Sequence, residues 1–282
     1  KKINPKYPPL TKAYKDLFDL ISNPKYKVRT VYEHYVLNEG NSDPNSTIII
    51  LRVDVDFGFH LSEALAIHLN SRGLRASHYF LTFPEKYYNL WGSKIPSKLI
   101  EMNQEVGIHN DHLYYQLKTG KSGIARLKKD IRKLSSLSGS KVKGSIFHGH
   151  DEINKLDHSN WELTKDISPS SLNLKYHDGF KSNYIKKNSL IWDPECDKNI
   201  SDYMGFPASW GWNYTPSYPC REILKYSKPN KIIHVGIHTH NAFKYWNYWT
   251  KKYCEKMPKK DSLIFFTYKK IIIHKNLFFD LI

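Results

Sequence analysis

The sequence predicts an α/β fold built on a parallel sheet, and three observations carry that prediction. Residues 47–57 (T-I-I-I-L-R-V-D-V-D-F) open on a run of β-branched residues and leucine that reads as a strand buried on both faces. Helical and apolar extended segments then alternate, the β-α-β order that implies a parallel sheet with right-handed crossovers. Most of the predicted strands run out into Asp, Asn or His, as expected of a parallel barrel or doubly wound sheet with its site at the strands' C-terminal ends.

The elements follow in order. Residues 11–22 (T-K-A-Y-K-D-L-F-D-L-I-S) carry apolar residues at helical spacing behind a Thr in N-cap position. Residues 28–37, rich in Val and Tyr, are compatible with strand or helix, and 38–45 (N-E-G-N-S-D-P-N) is a loop by composition. After the strand at 47–57, residues 60–70 form a helix closed by Ser71-Arg72-Gly73, and 75–82 a second strand. Then come a helix over 97–105, a short strand over 106–109, a helix over 122–137 and a strand over 143–148. Residues 231–238 (K-I-I-H-V-G-I-H) are another buried strand, and 241–256 a helix rich in aromatics. Residues 176–220, with few periodic stretches, read as an irregular insertion near the site. The expected organisation is an N-terminal helical extension over 1–46 packed on a catalytic barrel over 47–282.

Bulk properties exclude several classes. A chain of 282 residues can bury a sizeable core. No apolar run approaches the ~20 residues needed to span a bilayer, and the first ten residues lack a signal-peptide core. The three cysteines (Cys196, Cys220, Cys254) have no C-x-x-C spacing, which argues against a disulfide framework and fits a reducing compartment such as the cytoplasm. The net charge of +16 suggests an anionic partner, yet only seven of the 43 basic residues are Arg. Arg is the side chain favoured for bidentate phosphate recognition. With the lysines spread along the chain, the reading is no nucleic acid, and an acidic sugar or sugar nucleotide instead.

The chemistry lies at the strand ends. Alternation puts Asp54 and Asp56 on one side of their strand, roughly 6–7 Å apart. Two such carboxylates on a buried strand are costly unless a metal, a partner or a reaction compensates the charge. The plainer alternative is a solvated strand end capping the next helix. Against it stand the other ends: His109, Asn110, Asp111 and His112, then His148, Gly149, His150 and Asp151, then His238 and His240. In a parallel sheet these lie on one rim, so six of the fourteen histidines converge with several carboxylates. Mixed His and Asp ligands without Cys suit one divalent metal, Zn²⁺ first, with Mn²⁺, Fe²⁺ or Co²⁺ as alternatives.

With V-D-V-D-F at 53–57, E-V-G-I-H-N-D-H at 105–112 and H-V-G-I-H at 234–238, the sequence resembles the polysaccharide deacetylase superfamily (NodB homology, carbohydrate esterase family 4). It is closer to a variant group in which an H-D-V-D-type strand end replaces T-F-D-D-G. Residues 147–161 (F-H-G-H-D-E-I-N-K-L-D-H-S-N-W) and 199–205 (N-I-S-D-Y-M-G) are similar to that group's central and late segments, so the likeness spans 48–249. It implies a distorted (β/α) barrel of about seven parallel strands, a divalent metal on an Asp-His-His triad, and hydrolysis of an N-acetyl or similar acyl group on an amino sugar or sugar nucleotide. On this resemblance Asp54 matches the catalytic base, Asp56 and His109 metal ligands, His238 the general acid, and Asp202 an aspartate tuning that half of the site. The third ligand departs from the family's pattern, because Leu113 stands where the second histidine is expected. His112 is the preferred candidate and Asp111 the other. The family's R-x-P-Y segment is also missing, with His148-Gly149-His150 in its region. His148, His150, Trp210, Trp212 and Tyr88 are the candidate substrate contacts, the aromatics as sugar-stacking platforms. Two other functions fit the same fold: a deformylase or other amide hydrolase, and an inactive barrel kept to bind carbohydrate or scaffold a complex.

Overall fold

The structure, a computed structural model, describes residues 7–37, 45–56, 58–83, 90–149, 151–177, 198–201 and 217–244. Its strands are β1 (Tyr26–Arg29), β2 (Thr47–Val55), β3 (Ser77–Leu81), β4 (Glu105–Asn110), β5 (Gly144–Phe147), β6 (Tyr176–His177), β7 (Lys198–Ser201) and β8 (Ile232–His238). Its helices are α1 (Lys12–Ile21), α2 (Val31–Tyr35), α3 (His60–Asn70), α4 (Ile95–Glu101), α5 (His112–Thr119), α6 (Gly123–Ser138), α7 (Asp151–Asn154) and α8 (Tyr218–Tyr226).

All eight strands join one sheet in the order β6-β5-β4-β3-β2-β8-β7, with β1 beside β2, and every pairing is parallel. Among the described residues β6 and β7 do not pair, so the curled sheet is a half-barrel rather than a closed ring. The strand β2 is its axis. One edge pairs with β8 from Ile48 to Asp54. The other edge is shared, with β1 taking Thr47 to Ile50 and β3 taking Arg52 to Val55. The segment before Thr47, read from sequence as a helical extension, therefore also supplies a strand to the sheet.

Alternation divides β2 between two cores. Ile49, Leu51, Val53 and Val55 join the main cluster with α1, α3, α4, α6 and α8, through residues such as Phe18, Leu65, Leu99, Leu134 and Ile223. Ile48 and Ile50 face the inside of the curl, with Tyr79, Ile146 and Val31. Every residue of β2 is buried, which is why its sequence reads as an unbroken apolar run until the charged residues begin. Helix starts follow local chemistry. Thr30 opens α2 with a capping box, its hydroxyl accepting from the Glu33 amide while the Glu33 carboxylate accepts from the Thr30 amide. Ser122 caps α6, and Gly120 and Gly139 close α5 and α6 in the left-handed conformation.

The lower half of the interior is filled by two tyrosines lying across glycines. A Cβ on Gly107 would stand 2.5 Å from the Tyr79 ring, and one on Gly144 1.9 Å from the Tyr176 ring. No larger residue fits at either position while the rings stay in place. The tyrosine hydroxyls contact each other, and that of Tyr176 donates to Glu105. Glu105 also accepts from the Ser77 hydroxyl and the Tyr32 amide.

Most elements sit where the sequence puts them, with three differences. Helix α5 lies in a stretch to which the sequence reading assigns no element. The expected helix over 241–256 is described only to residue 244, where Thr239–Ala242 is a 3₁₀ turn and Phe243 bridges to Leu10. Of the insertion over 176–220, the described parts give β6, β7 and the start of α8. Among the described residues no helix is long and apolar enough to cross a membrane.

Candidate metal centre

The C-terminal ends of β2, β4, β5 and β8 bring together Asp54, Asp56, His109, His148 and His238. Register explains the meeting. Asp54 is level with His238 across β2–β8, and His109 is level with Ile146, one step before the β5 end that leads into His148. His109 Nε2 lies 3.2 Å from Asp56 Oδ1, and His148 Nε2 3.9 Å from Asp56 Oδ2. His238 Nε2 is 3.4 Å from Asp56 Oδ2 and 3.6 Å from Asp54 Oδ2. The His109 and His148 rings meet edge to face, with centroids 4.9 Å apart.

Asp56, His109 and His148 form a group whose possible ligand atoms all lie within 4.8 Å of one another. Two donors each about 2.0–2.2 Å from one tetrahedral ion stand about 3.3–3.6 Å apart, so the observed separations fit such an ion with small adjustments. The second nitrogens fit as well. His109 Nδ1 is 3.4 Å from the Ile146 carbonyl and His148 Nδ1 3.6 Å from Asp111 Oδ1. The carbonyl bonded to His109 Nδ1, and the carboxylate at ion-pair distance from His148 Nδ1, favour the tautomer that presents the Nε2 lone pair inward, the usual arrangement of a metal-ligating histidine. An oxygen and two imidazole nitrogens, with no sulfur, suit Zn²⁺ and its first-row neighbours.

The third member differs from the sequence expectation. His112 is fully buried, and neither of its ring nitrogens faces Asp56. Nδ1 is 2.9 Å from Asn110 Oδ1 and Nε2 3.1 Å from Asp130 Oδ2. Helix α5 begins at His112 itself, and this turn carries the ring onto α6, where Arg126 and Thr82 also bond Asp130. With acceptors against both nitrogens, His112 is a bolt between α5 and α6. His148, expected as a substrate contact, takes its place beside Asp56 and His109. Asp111, the other candidate for third ligand, lies behind His148 instead.

Burial works to raise the Asp56 carboxyl, but His238, His109 and His148 around it hold it well below the ordinary carboxylate range. Burial likewise works against the charged form of His148, but Asp111, Asp56 and Asp54 outweigh it and push its pKa up to about 9. Asp54 is held differently. Arg52, two residues earlier on the same face of β2, grips both its oxygens, Nε to Oδ1 at 2.6 Å and Nη2 to Oδ2 at 2.7 Å. Both side chains are buried, and the guanidinium lies 5.8 Å from the Tyr79 ring centroid. The bidentate grip occupies Asp54 and leaves Asp56 as the carboxylate turned to the histidines. The side chain of His148 is 19% exposed against 4% for Asp56 and 1% for His109, so the cluster opens on the His148 side.

Sequence reasoning missed Arg52 and Asn160 as parts of this site. The R-V-D spacing carried the signal for Arg52, since residues two apart on a strand share a face. Nothing local marks Asn160. The expected contributors Tyr88, His150, Asp202, Trp210 and Trp212 lie outside the described residues.

No protein-family model matches the chain, and no curated protein sequence matches it. Among solved structures it is similar to the catalytic domain of peptidoglycan N-acetylglucosamine deacetylase from Eubacterium rectale ATCC 33656, at 16% identity and a TM-score of 0.45, covering 73% of this chain and 84% of that one. It is also similar to a family 4 carbohydrate esterase from Bacillus anthracis, at 10% identity and a TM-score of 0.40, covering 86% of this chain and 89% of that one.

Proposed function

We propose that this chain is a metal-dependent hydrolase that removes an N-acyl group, acetyl first among them, from an amino sugar, sugar nucleotide or related carbohydrate during glycan biosynthesis, in a reducing compartment such as the cytoplasm. The observation that carries the reading is the convergence of His109 and His148, each by Nε2, on the single carboxylate of Asp56. Asp54 and His238 stand beside it. The resemblance of residues 53–57, 105–112 and 234–238 to polysaccharide deacetylases supplies the bond and the substrate class.

Asp56, His109 and His148 would hold a divalent cation, which when bound would supply a Lewis acid for a water and an acyl carbonyl. The residues around it divide the proton transfers. Asp54, oriented by the two bonds from Arg52, would accept the proton of the attacking water through Oδ2. His238 Nε2, between the two carboxylates, is placed to hold a proton and deliver it to the leaving amine. Each such transfer is worth about 10²–10⁴-fold in rate. The ligand Asp56 and the base Asp54 come from one strand because alternation sets them side by side, and Arg52 separates their roles.

The test is metal analysis of protein purified without chelator, then a screen for acetate against formate released from free and nucleotide-linked acetamido sugars. One equivalent of metal and acetate release that disappears in His109→Ala are the expected results. Trace metal with no uptake of added Zn²⁺ or Mn²⁺ would point to a carbohydrate-binding barrel without catalysis, and formate release to a deformylase.

A further inference from the structure

We infer that Asp111 and Asn160 are positioning residues that fix His148 for metal binding; the inference rests on the metal reading above. Helix α5 is capped from an unusual place. Asp111 occupies the N-cap of α5, a position where an aspartate ordinarily accepts from the first backbone amides. Its carboxylate makes no such bond. The cap comes instead from Asn160, in the 3₁₀ turn Asn160–Leu163, whose Oδ1 accepts from the amides of Leu113 at 3.1 Å and Tyr114 at 3.2 Å.

The other end of the same amide completes the device. Asn160 Nδ2 donates to Asp111 Oδ1 at 2.7 Å and to the His148 carbonyl at 2.8 Å. All four hydrogen-bonding positions of this fully buried amide are thus used, two on α5, one on Asp111 and one on the His148 backbone. Relieved of capping, the Asp111 carboxylate is turned with Oδ1 3.6 Å from His148 Nδ1. The His148 amide donates to the Asn110 carbonyl at 2.9 Å, so backbone and ring of His148 are both tied to the segment 110–111. A carboxylate behind Nδ1 selects the tautomer with its Nε2 lone pair toward Asp56 and raises the imidazole's strength as a ligand. Nothing in this geometry requires Asp111 to touch substrate or metal.

The experiment measures Zn²⁺ affinity of the full chain by competition with a chromophoric chelator, and the visible absorption of the Co²⁺-loaded protein, for wild type, Asp111→Asn, Asn160→Asp and His148→Ala. Asp111→Asn is expected to keep one site per chain while losing about 10–100-fold in affinity, and to shift the Co²⁺ bands, with a melting temperature close to wild type. Asn160→Asp keeps both capping contacts while replacing the donor to Asp111 with an acceptor, and is expected to weaken Zn²⁺ in the same range. His148→Ala is expected to lose the site. If wild type and both conservative variants bind Zn²⁺ equally, with unchanged Co²⁺ spectra, the inference is overturned while the metal reading stands. If wild type binds neither ion, both fall. A variant that fails to fold is replaced in the comparison by the other, since each breaks a different link of the same chain.

Discussion

Two carboxylates on the inner face of one sheet, Glu105 half-buried and Asp56 buried, have opposite surroundings. Glu105, at the N-terminal end of β4, is bonded by neutral donors from Tyr176, Ser77 and the Tyr32 amide, and burial raises its pKa despite them. Asp56, past the C-terminal end of β2, is ringed by His238, His109 and His148, which hold its pKa well below the usual range despite burial. Neutral donors make a packed floor, and the imidazoles leave Asp56 in a group that could hold a metal. The contrast teaches that burial alone does not mark a functional acid; the charge of its neighbours does.

Loss of one imidazole separates the two acids most strongly. His109→Ala should abolish tight Zn²⁺ binding, since a three-residue ligand set loses a member, whereas Glu105→Ala should leave affinity at the wild-type level. Titration calorimetry on both checks this. Next comes Arg52→Met, which strands the buried Asp54 carboxylate and should lower stability by about 3–5 kcal/mol. Urea unfolding reads it, and Arg52→Lys should recover only part because an ammonium cannot span both oxygens. Glu105→Ala leaves the Tyr176 and Ser77 hydroxyls without their acceptor and should cost about 1–3 kcal/mol in the same assay.

The smallest effects are slopes against pH, measured in chelator. The Glu105 pKa is raised in the folded chain, so its contribution is fully present below its ordinary value of 4.5 and is lost as pH rises through the folded one. The Asp56 pKa is depressed, so its contribution is present above its ordinary value of 3.8 and is lost as pH falls through the folded one. Relative to wild type, Glu105→Gln should therefore gain stability as pH rises above 4.5, and Asp56→Asn should lose stability as pH rises through 3.8. Equal slopes would mean that the two acids do not differ as described.

Much of this was legible from residues alone. The apolar run ending in Asp54 and Asp56 specifies β2 and its face, and the His-terminated segments at 109, 148 and 238 specify strands whose ends share a rim. The choice between His112 and His148 was not legible, because it depends on where α5 begins and on the β4–β5 register. The bolt from His112 to Asp130 depends on the packing of α6, which no spacing rule reports. Asn160 was hidden for a related reason, since a side chain that caps a helix from 47 residues away leaves no periodic trace. Strand β1 was ambiguous because four residues carry too little pattern to separate strand from helix.

The central strand has a consequence for how the molecule comes into being. A chain emerging from synthesis makes β2 early, and β1 and β3 can cover one of its edges almost at once. The other edge waits for β8, near the far end of the described chain, so an apolar strand with unpaired backbone groups stays open through most of synthesis. Contacts this distant in sequence form slowly. The pairing that ends this exposure is also the one that sets His238 level with Asp54. The last pairing on β2 and the meeting of Asp54 with His238 are a single event, so a fragment ending before Ile232 is expected to be sticky and without that contact.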